Sequence, residues 1–280
     1  MKNKIIFAEK SQTYKQPPFK INALKFAMND LQKLSSDGLR EQVKQFIRTA
    51  ADIYLPALSI DTVIFGFHKG KLKVLLLRVG ESANFMLPGG FVRKDEDLDA
   101  AALRILQERT GLLNIYLEQF YTSGNKDRSN GQVTQEILEE LFGKTIRSSW
   151  FKQRFISVCY YALIDDTKVN PVSEILSTEF KWFDINRIPK LIFDHNHIIR
   201  KALVRLQSDL DEKLVGFRLL DDTFTMGELQ NLYEAVYQKK LVRTNFQRKM
   251  LSLNVLERLE KQYSGKAHKA PYLYRFIEAK

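Results

Sequence analysis

The chain has 280 residues, a hydrophobic fraction of 44% and a formal net charge of +11, which is sufficient for a hydrophobic core and typical of a globular protein. No apolar run reaches the roughly 18 residues of a membrane span, and the apolar stretch near the amino terminus is too short for a signal peptide. Cys159 is the only cysteine, which excludes an intrachain disulfide. We expect Cys159 in the core of a cytoplasmic protein, where thiols stay reduced.

The positive charge is concentrated at the two ends of the chain. The net charge is +5 over residues 1–58, zero over 59–222 and +6 over 223–280. Basic ends on a neutral middle indicate contact with a polyanion, most simply nucleic acid. The alternative at this point is that the basic ends only aid solubility.

The amino-terminal part predicts an arm followed by two helices. Residues 1–19 are polar and contain Pro17-Pro18, whereas residues 20–52 carry apolar residues at helical spacing on both sides of a break at 35–38. Pro56 is expected to close this region, which we take as residues 1–55.

The middle part predicts an α/β sandwich. Apolar and β-branched runs at 59–67 and 72–79 flank a short glycine-containing turn, which predicts a hairpin. Further strands are predicted at 114–121, 154–164 and 179–185, one helix after the Leu-Pro-Gly-Gly segment, and a second from about Asp194. The polar segment 124–152 is interpreted as an insertion that includes a short helix. Strands interleaved with two helices predict a mixed sheet between helices, over residues 56–220.

The last sixty residues have a different pattern, which predicts a separate α+β domain at 221–280. FTMGELQNLYEAVYQ is an amphipathic helix with Thr225 as its cap and Glu228 three residues later. A turn leads to a second helix with Thr244 at its start, and two strands follow around the loop GKAHKAP. Helix, turn, helix and two-stranded ribbon is the order of a winged helix-turn-helix.

The glycine-rich loop and the helix after it are the candidate small-molecule site. Gly89 and Gly90 permit a close approach of the backbone to a phosphate or sugar, and Glu96, Arg104 and Glu108 follow at spacings that can face one pocket. The alternative interpretation is a solvated amphipathic helix, with apolar residues toward a core and charges toward water.

This stretch resembles the Nudix box, G-x(5)-E-x(7)-R-E-U-x-E-E-x-G-U, where U is a bulky aliphatic residue. Seven positions are in register: Gly90, Glu96, Arg104, Leu106, Glu108, Gly111 and Leu112. Ile105 and Arg109 stand where the family has glutamates. The resemblance implies that, in Nudix hydrolases, the glutamates of the box hold Mg²⁺ or Mn²⁺ and activate the attacking water. Such cations need several oxygen ligands, and Ile105 and Arg109 supply none. We therefore expect no catalytic residues, no metal, no cofactor and no pyrophosphohydrolase activity.

A degenerate Nudix domain followed by a winged helix is similar to the Nudix-related transcriptional regulators. The similarity implies a metabolite-sensing Nudix domain and a homodimer that binds a double-stranded DNA operator. It implies an effector of the ADP-ribose or pentose class, and loss of the metal favours a sugar. The expected effector-contacting residues are Arg78, Gly89, Gly90, Glu96, Arg104, Glu108, Asp194 and His195. For Asp194 the alternative is a cap on the following helix, and the histidine spacing does not suggest zinc.

The expected DNA-contacting residues are of the types that pair with base edges and phosphates. They are Arg243, Thr244, Asn245, Gln247, Arg248 and Lys249 on the second helix and Lys266, His268 and Lys269 at the wing tip. The amino-terminal helices are expected to add dimer contacts, cover the pocket or contact DNA. Two other functions stay open: an active hydrolase with a basic accessory domain, and an interaction module that does not bind DNA.

Overall fold

The computed structural model describes residues 36–79, 84–111, 115–128, 139, 150, 153–164, 177–212, 215, 219–262 and 270–277. The helices are α1 Ser36–Ile53, α2 Leu98–Thr110, α3 His195–Glu212, α4 Met226–Tyr237 and α5 Arg243–Ser252, with a 3-10 turn at Ile185–Arg187. The strands are β1 Tyr54–His68, β2 Lys71–Val79, β3 Phe85–Met86, β4 Gly89–Arg93, β5 Tyr116–Ser123, β6 Ile156–Ile164, β7 Ser177–Asp184, β8 Phe224–Thr225, β9 Leu256–Lys261 and β10 Tyr272–Phe276.

The large sheet is mixed and has β1 at its centre. β6 runs parallel to β1 along one edge, from Leu58↔Ile156 to Gly66↔Ile164, and β5 continues the sheet antiparallel to β6. β4 and β2 pair with β1 in antiparallel fashion. β3 and β7 both pair with β2. All five strands predicted from the middle of the sequence are therefore present, with ends displaced by a few residues.

Helices cover both faces of this sheet, as the alternation along β6 shows. Val158 and Tyr160 pack with Ala101 and Ile105 of α2, while Cys159 and Tyr161 belong to the core cluster that includes Ile198, Ala202 and Leu206 of α3. Successive strand residues point to opposite faces, so a fully apolar strand can serve two helices. The predicted mixed sheet between helices is confirmed, as is the burial of Cys159.

The sequence predicts Pro56 ahead of the first strand of the sheet, whereas the structure places it inside that strand. β1 begins at Tyr54, and its register against β4 shifts between Tyr54 and Ser59. Pro56 has no N–H to donate to a ladder, so it is accommodated at this irregularity, next to Ala57 with a φ of 57°. The second predicted helix is confirmed as α1, whereas the first, at residues 20–34, lies outside the described residues. The insertion does too, apart from its first five residues, Glu139 and Trp150.

The carboxy-terminal elements form the predicted winged helix. Thr225 Oγ1 accepts from the Glu228 N–H at 3.2 Å, and Glu228 in turn accepts a hydrogen bond from the Thr225 N–H, so the capping box is confirmed. α5 begins at Arg243 with Val242 before it, one residue earlier than predicted. A three-stranded sheet in the order β8-β10-β9 completes the domain. Its core is continuous with that of the first domain, since Leu206 and Leu210 of α3 cluster with Leu232 and Val236 of α4.

Candidate functional site

The glycine pair lies where β4 approaches β1 on one side and the α2 side chain Ile105 on the other. Gly89 and Gly90 pair with Asp61 and Ile60 of β1. A Cβ on Gly89 would lie 2.5 Å from the Ile60 carbonyl oxygen, and one on Gly90 would lie 3.0 Å from the Ile105 side chain. Gly89 is thus required by the packing of the loop itself, whereas a Cβ on Gly90 would press on the Ile105 side chain.

Arg104 holds the two box glutamates. Its Nε donates to Glu96 Oε2 at 2.9 Å, and its Nη1 donates to Glu108 Oε2 at 3.0 Å. Nη2 also donates to the Phe91 carbonyl oxygen at 3.0 Å. Burial opposes ionisation of Glu96, but the hydrogen bonds from Arg104 and the Arg93 N–H hold the pKa of its carboxyl below the ordinary value. The structure therefore brings these three predicted residues together, with both carboxylates bound to a guanidinium.

The two departures from the box have packing and hydrogen-bonding roles. Ile105 is 1% exposed and packs with Ile60 and Val92 under the helix. Arg109 donates from Nε and Nη2 to the Gly89 carbonyl oxygen, at 3.0 and 2.7 Å. Burial lowers the pKa of Arg109 to about 10, even though Glu108 lies nearby. Arg109 was not among the predicted site residues, although its replacement of a box glutamate was a visible signal.

The residues of this pocket do not fit a divalent metal. Mg²⁺ prefers carboxylate and carbonyl oxygens, yet the Glu96 and Glu108 carboxylates bind Arg104 and the Gly89 carbonyl oxygen binds Arg109. Within the described ranges, no three His, Cys, Asp or Glu side chains are grouped so as to hold a metal ion. The Glu96 carboxylate, one oxygen of Glu108 and the Gly89 carbonyl oxygen are therefore already bound to guanidinium groups.

Arg78 lies on β2 and forms an ion pair with the neighbouring strand β7. Its Nη1 is 3.4 Å from Glu179 Oε2 on β7, and Arg78 and Glu179 are paired across the two strands. Its predicted contact with an effector stays a prediction beside this cross-strand ion pair.

Asp194 and His195 belong to a buried polar cluster that the sequence did not predict. Arg128 donates to Asp61 Oδ2 at 2.8 Å, to Asp194 Oδ1 at 3.1 Å and to the Phe155 carbonyl oxygen at 3.2 Å. Asp194 also accepts a short hydrogen bond from Ser123. Its carboxylate thus binds Arg128 and Ser123, while its backbone carbonyl oxygen starts the ladder of α3. An aspartate in the apolar run of β1 was the available signal for Asp61. Arg128 lies in the polar insertion and carried no signal.

His195 supports the Leu-Pro-Gly-Gly loop. The Leu87 N–H donates to its Nδ1 at 2.9 Å, so the proton is on Nε2, which faces Asp61 Oδ1 at 3.6 Å. Burial lowers the pKa of His195, in spite of the neighbouring Asp61. Burial opposes ionisation of Asp61 as well, but its neighbours His195 and Arg128 hold the pKa of that carboxyl below its ordinary value. A neutral histidine at the start of α3 is therefore bonded to the backbone just before the glycine pair.

Helix α1 packs on aromatic residues next to this loop. Phe46 of α1 lies 5.9 Å from Phe91 and 5.7 Å from Tyr54, between ring centroids. Trp150 and Phe155 pack on the same Phe91 ring, at 5.9 and 5.2 Å. Of the roles expected for the amino-terminal helices, this packing favours covering the pocket region, because Phe91 directly follows Gly90.

The second helix of the winged domain presents polar side chains on its outer face. Phe246 and Met250 are buried, and the Phe246 ring packs 5.1 Å from Tyr233 of α4. Arg243, Thr244, Asn245 and Arg248 are exposed, and Gln247 is half-buried. Lys249 differs from them, because its Nζ lies 2.8 Å from Asp211 Oδ1 on α3. Lys266, His268 and Lys269 lie outside the described residues.

Comparisons with known proteins agree with both halves of this description. Residues 56–206 match the Nudix domain, and residues 216–276 match the NrtR DNA-binding winged helix domain. The ADPR responsive transcriptional repressor NtrR of Acinetobacter baylyi is 31% identical over 234 residues, which cover 81% of this chain and 84% of the relative. The chain belongs to the NrtR family of Nudix-domain regulators.

This NrtR family member is also similar to a DNA-bound regulator and to a Nudix enzyme. The crystal structure of Shewanella oneidensis NrtR complexed with a 27mer DNA is 27% identical, with a TM-score of 0.58, over 79% of this chain and 94% of that one. An ADP-ribose pyrophosphatase of Methanocaldococcus jannaschii is 28% identical over 154 residues, which are 53% of this chain and 74% of the enzyme. The predicted transcriptional regulator, with a Nudix domain and a DNA-binding winged helix, is thus confirmed.

In the part of this NrtR-type chain that the structure describes, no helix is long and apolar enough to cross a membrane.

Proposed function

We propose that this protein is a repressor whose Nudix domain binds ADP-ribose or a related sugar without hydrolysing it. The observation that carries the proposal is the ion-paired pocket, in which Arg104 holds Glu96 and Glu108 and Arg109 holds the Gly89 carbonyl oxygen. Such a pocket keeps the loop and helix of a Nudix fold. Its carboxylates are paired with Arg104, so they are not available as ligands of a catalytic metal.

ADP-ribose is the first candidate effector, because the Acinetobacter relative is an ADPR responsive repressor. A pentose is the second, since the absence of two box glutamates favours a neutral sugar. Arginines suit phosphate oxygens and carboxylates accept from sugar hydroxyls, so Arg104, Arg109 and Glu108 support either ligand. We propose Arg78, Gly89, Gly90, Glu96, Asp194 and His195 as further pocket residues, and Arg78 also forms an ion pair with Glu179.

A thermal-shift titration of the full chain separates these ligands. A ligand that binds only the native state raises the melting temperature with concentration. We expect ADP-ribose to raise the melting temperature and Arg104→Met to abolish the shift. A shift with L-arabinose or D-xylose and none with ADP-ribose would assign the pocket to a sugar. No shift with any of them would overturn the proposed sensing role.

The DNA interface is proposed to be the outer face of α5. Arg243, Asn245 and Arg248 are exposed there and are of the types that read base edges and neutralise phosphates. Replacing Arg243 and Arg248 by alanine should weaken binding to an operator fragment in a gel shift. Unchanged retention would favour an interaction module that does not bind DNA.

The competing function is an active pyrophosphohydrolase with an accessory basic domain. It is favoured by the similarity to the Methanocaldococcus enzyme and by the presence of Glu96 and Glu108. Release of AMP from ADP-ribose in the presence of Mg²⁺, lost in Glu108→Gln, would establish it. We expect no release.

The assembly is proposed to be a cytoplasmic homodimer that places two winged helices on two half-sites, as operator symmetry requires of such domains. Its proposed divisions are 1–55, 56–220 and 221–280. Sedimentation of the full chain, free and with operator DNA, tests the dimer directly.

A further inference from the structure

Lys249 is held by the Nudix-side helix, unlike the other basic residues of α5. Its Nζ lies 2.8 Å from Asp211 Oδ1, and Asp211 is in the last turn of α3. The other oxygen of the same carboxylate, Oδ2, accepts a hydrogen bond from the Tyr237 hydroxyl at 2.5 Å. Tyr237 is the last residue of α4. One carboxylate therefore binds both helices of the helix-turn-helix.

The contacts around Asp211 extend this attachment along α3. Gln207 Nε2 donates to the Val236 carbonyl oxygen at 2.9 Å, and the Tyr233 hydroxyl donates to the Leu210 carbonyl oxygen at 3.1 Å. These bonds lie over the shared apolar core of α3 and α4. At its other end, α3 begins with His195, which accepts from the Leu87 N–H of the pocket loop. The two ends of one helix thus contact the pocket and the DNA-reading unit.

We propose that Asp211 is a positioning residue for the DNA-reading helix, and that Lys249 is its anchor on α5 instead of a phosphate contact. The proposal rests on the DNA interface proposed above, with Arg243 and Arg248 as direct contacts. An ammonium bound to Asp211 is directed toward α3, whereas the exposed guanidinium groups of α5 are available to DNA.

The salt dependence of DNA binding distinguishes a contact from an anchor. Each lysine or arginine that neutralises a phosphate adds about 0.9 to the slope of log Kd against log salt, because it releases a counterion. A residue that only orients the helix changes the affinity without changing that slope. The ion pair is half exposed, with side-chain exposures of 51% and 40%, so its removal should not unfold the domain.

The experiment measures Kd by fluorescence anisotropy at several salt concentrations, using a duplex selected with the wild-type full chain. We expect Arg243→Ala and Arg248→Ala each to lower the slope by about one per bound protomer, and thus by about two for the proposed dimer. Lys249→Met should weaken binding about two- to fivefold with an unchanged slope. Lys240→Met is the matched control, since Lys240 pairs with Glu234 inside the winged domain, and it should leave the affinity unchanged.

A double-mutant cycle completes the test. If Asp211 acts through Lys249, Asp211→Asn combined with Lys249→Met should weaken binding no more than Lys249→Met alone. A slope lowered by about one per bound protomer in Lys249→Met, an unchanged affinity in that variant, or effects that multiply in the double variant would each overturn the proposal. If Arg243→Ala and Arg248→Ala change neither the affinity nor the slope, the proposed DNA interface itself fails.

Discussion

Arg128 joins two carboxylates in the interior of the protein, and its side chain is only 4% exposed. Asp61 comes from β1 and Asp194 from the residue before α3, so the guanidinium links the sheet to that helix. Burial of such a group is compensated only while both partners are present, because a remaining charge would lack both water and a counter-charge. The cluster should therefore be sensitive to loss of any single member.

Arg128→Met is expected to lower the free energy of unfolding by about 3–5 kcal/mol, since it leaves Asp61 and Asp194 buried without a positive partner. Urea denaturation measures the change. The matched control is Arg275→Met, whose ion pair with Glu257 is about half exposed and should cost less than about 1 kcal/mol. A loss of the same small size in both variants would show that the buried cluster is not needed for stability.

His195 should make stability depend on pH near neutrality. Its folded-state pKa lies below 6.5 because of burial, so as the pH falls the unfolded chain binds the proton first and stability decreases from about pH 6.5 downward. Between about pH 7.5 and 5.5 the wild type should lose at most about 1.4 kcal/mol more than His195→Asn. Urea midpoints at both pH values provide the test, with His197→Asn at an exposed histidine as the control. Equal losses in the wild type and His195→Asn would contradict the prediction.

At the scale of elements, the predictions that succeeded rest on patterns within one segment, and those that failed concern contacts between distant segments. The period-2 and helical patterns carry local information, so the strands of the sheet and helices α2 to α5 could be predicted from single segments. The capping box at Thr225 is a four-residue signal and was also recognisable. The Asp61–Arg128–Asp194 cluster joins residues up to 133 positions apart, and no local pattern encodes such a meeting. Pro56 was misinterpreted because a proline at a register shift looks, in sequence, like one that ends an element.

Thr225→Ala should destabilise the winged domain by about 1 kcal/mol, since the N–H of Glu228 loses its side-chain acceptor at the start of α4. Thr225→Ser keeps the hydroxyl and should retain most of the stability. Thermal unfolding followed by circular dichroism compares the two variants. The cap would be shown to be unimportant if alanine and serine had the same melting temperature.

At the scale of the whole molecule, the two domains share one apolar core through α3. Leu206 is fully buried in the cluster that contains Phe65 and Tyr161 of the sheet and Leu232 of α4. A helix that belongs to both cores ties the stability of the winged domain to that of the sheet.

Leu206→Ala is expected to cost about 2–5 kcal/mol and to increase hydrogen exchange in β2 and α4 by the same factor. Val204→Ala on the same helix is the control, since Val204 is 64% exposed and its replacement should change little. Hydrogen exchange followed by mass spectrometry measures both regions in one experiment. Faster exchange in β2 with α4 unaffected would show that the domains unfold independently.

The parallel pairing of β1 with β6 has a consequence for the time course of folding. The paired residues, from Leu58↔Ile156 onward, are 98 positions apart, and closing such a long loop precedes any gain from the pairing. During synthesis the β1–β2 hairpin is available early, whereas the centre of the sheet must wait for residue 164. Until then the apolar edge of β1 is open to other chains, so the period between these two events is when the nascent protein is most exposed to aggregation.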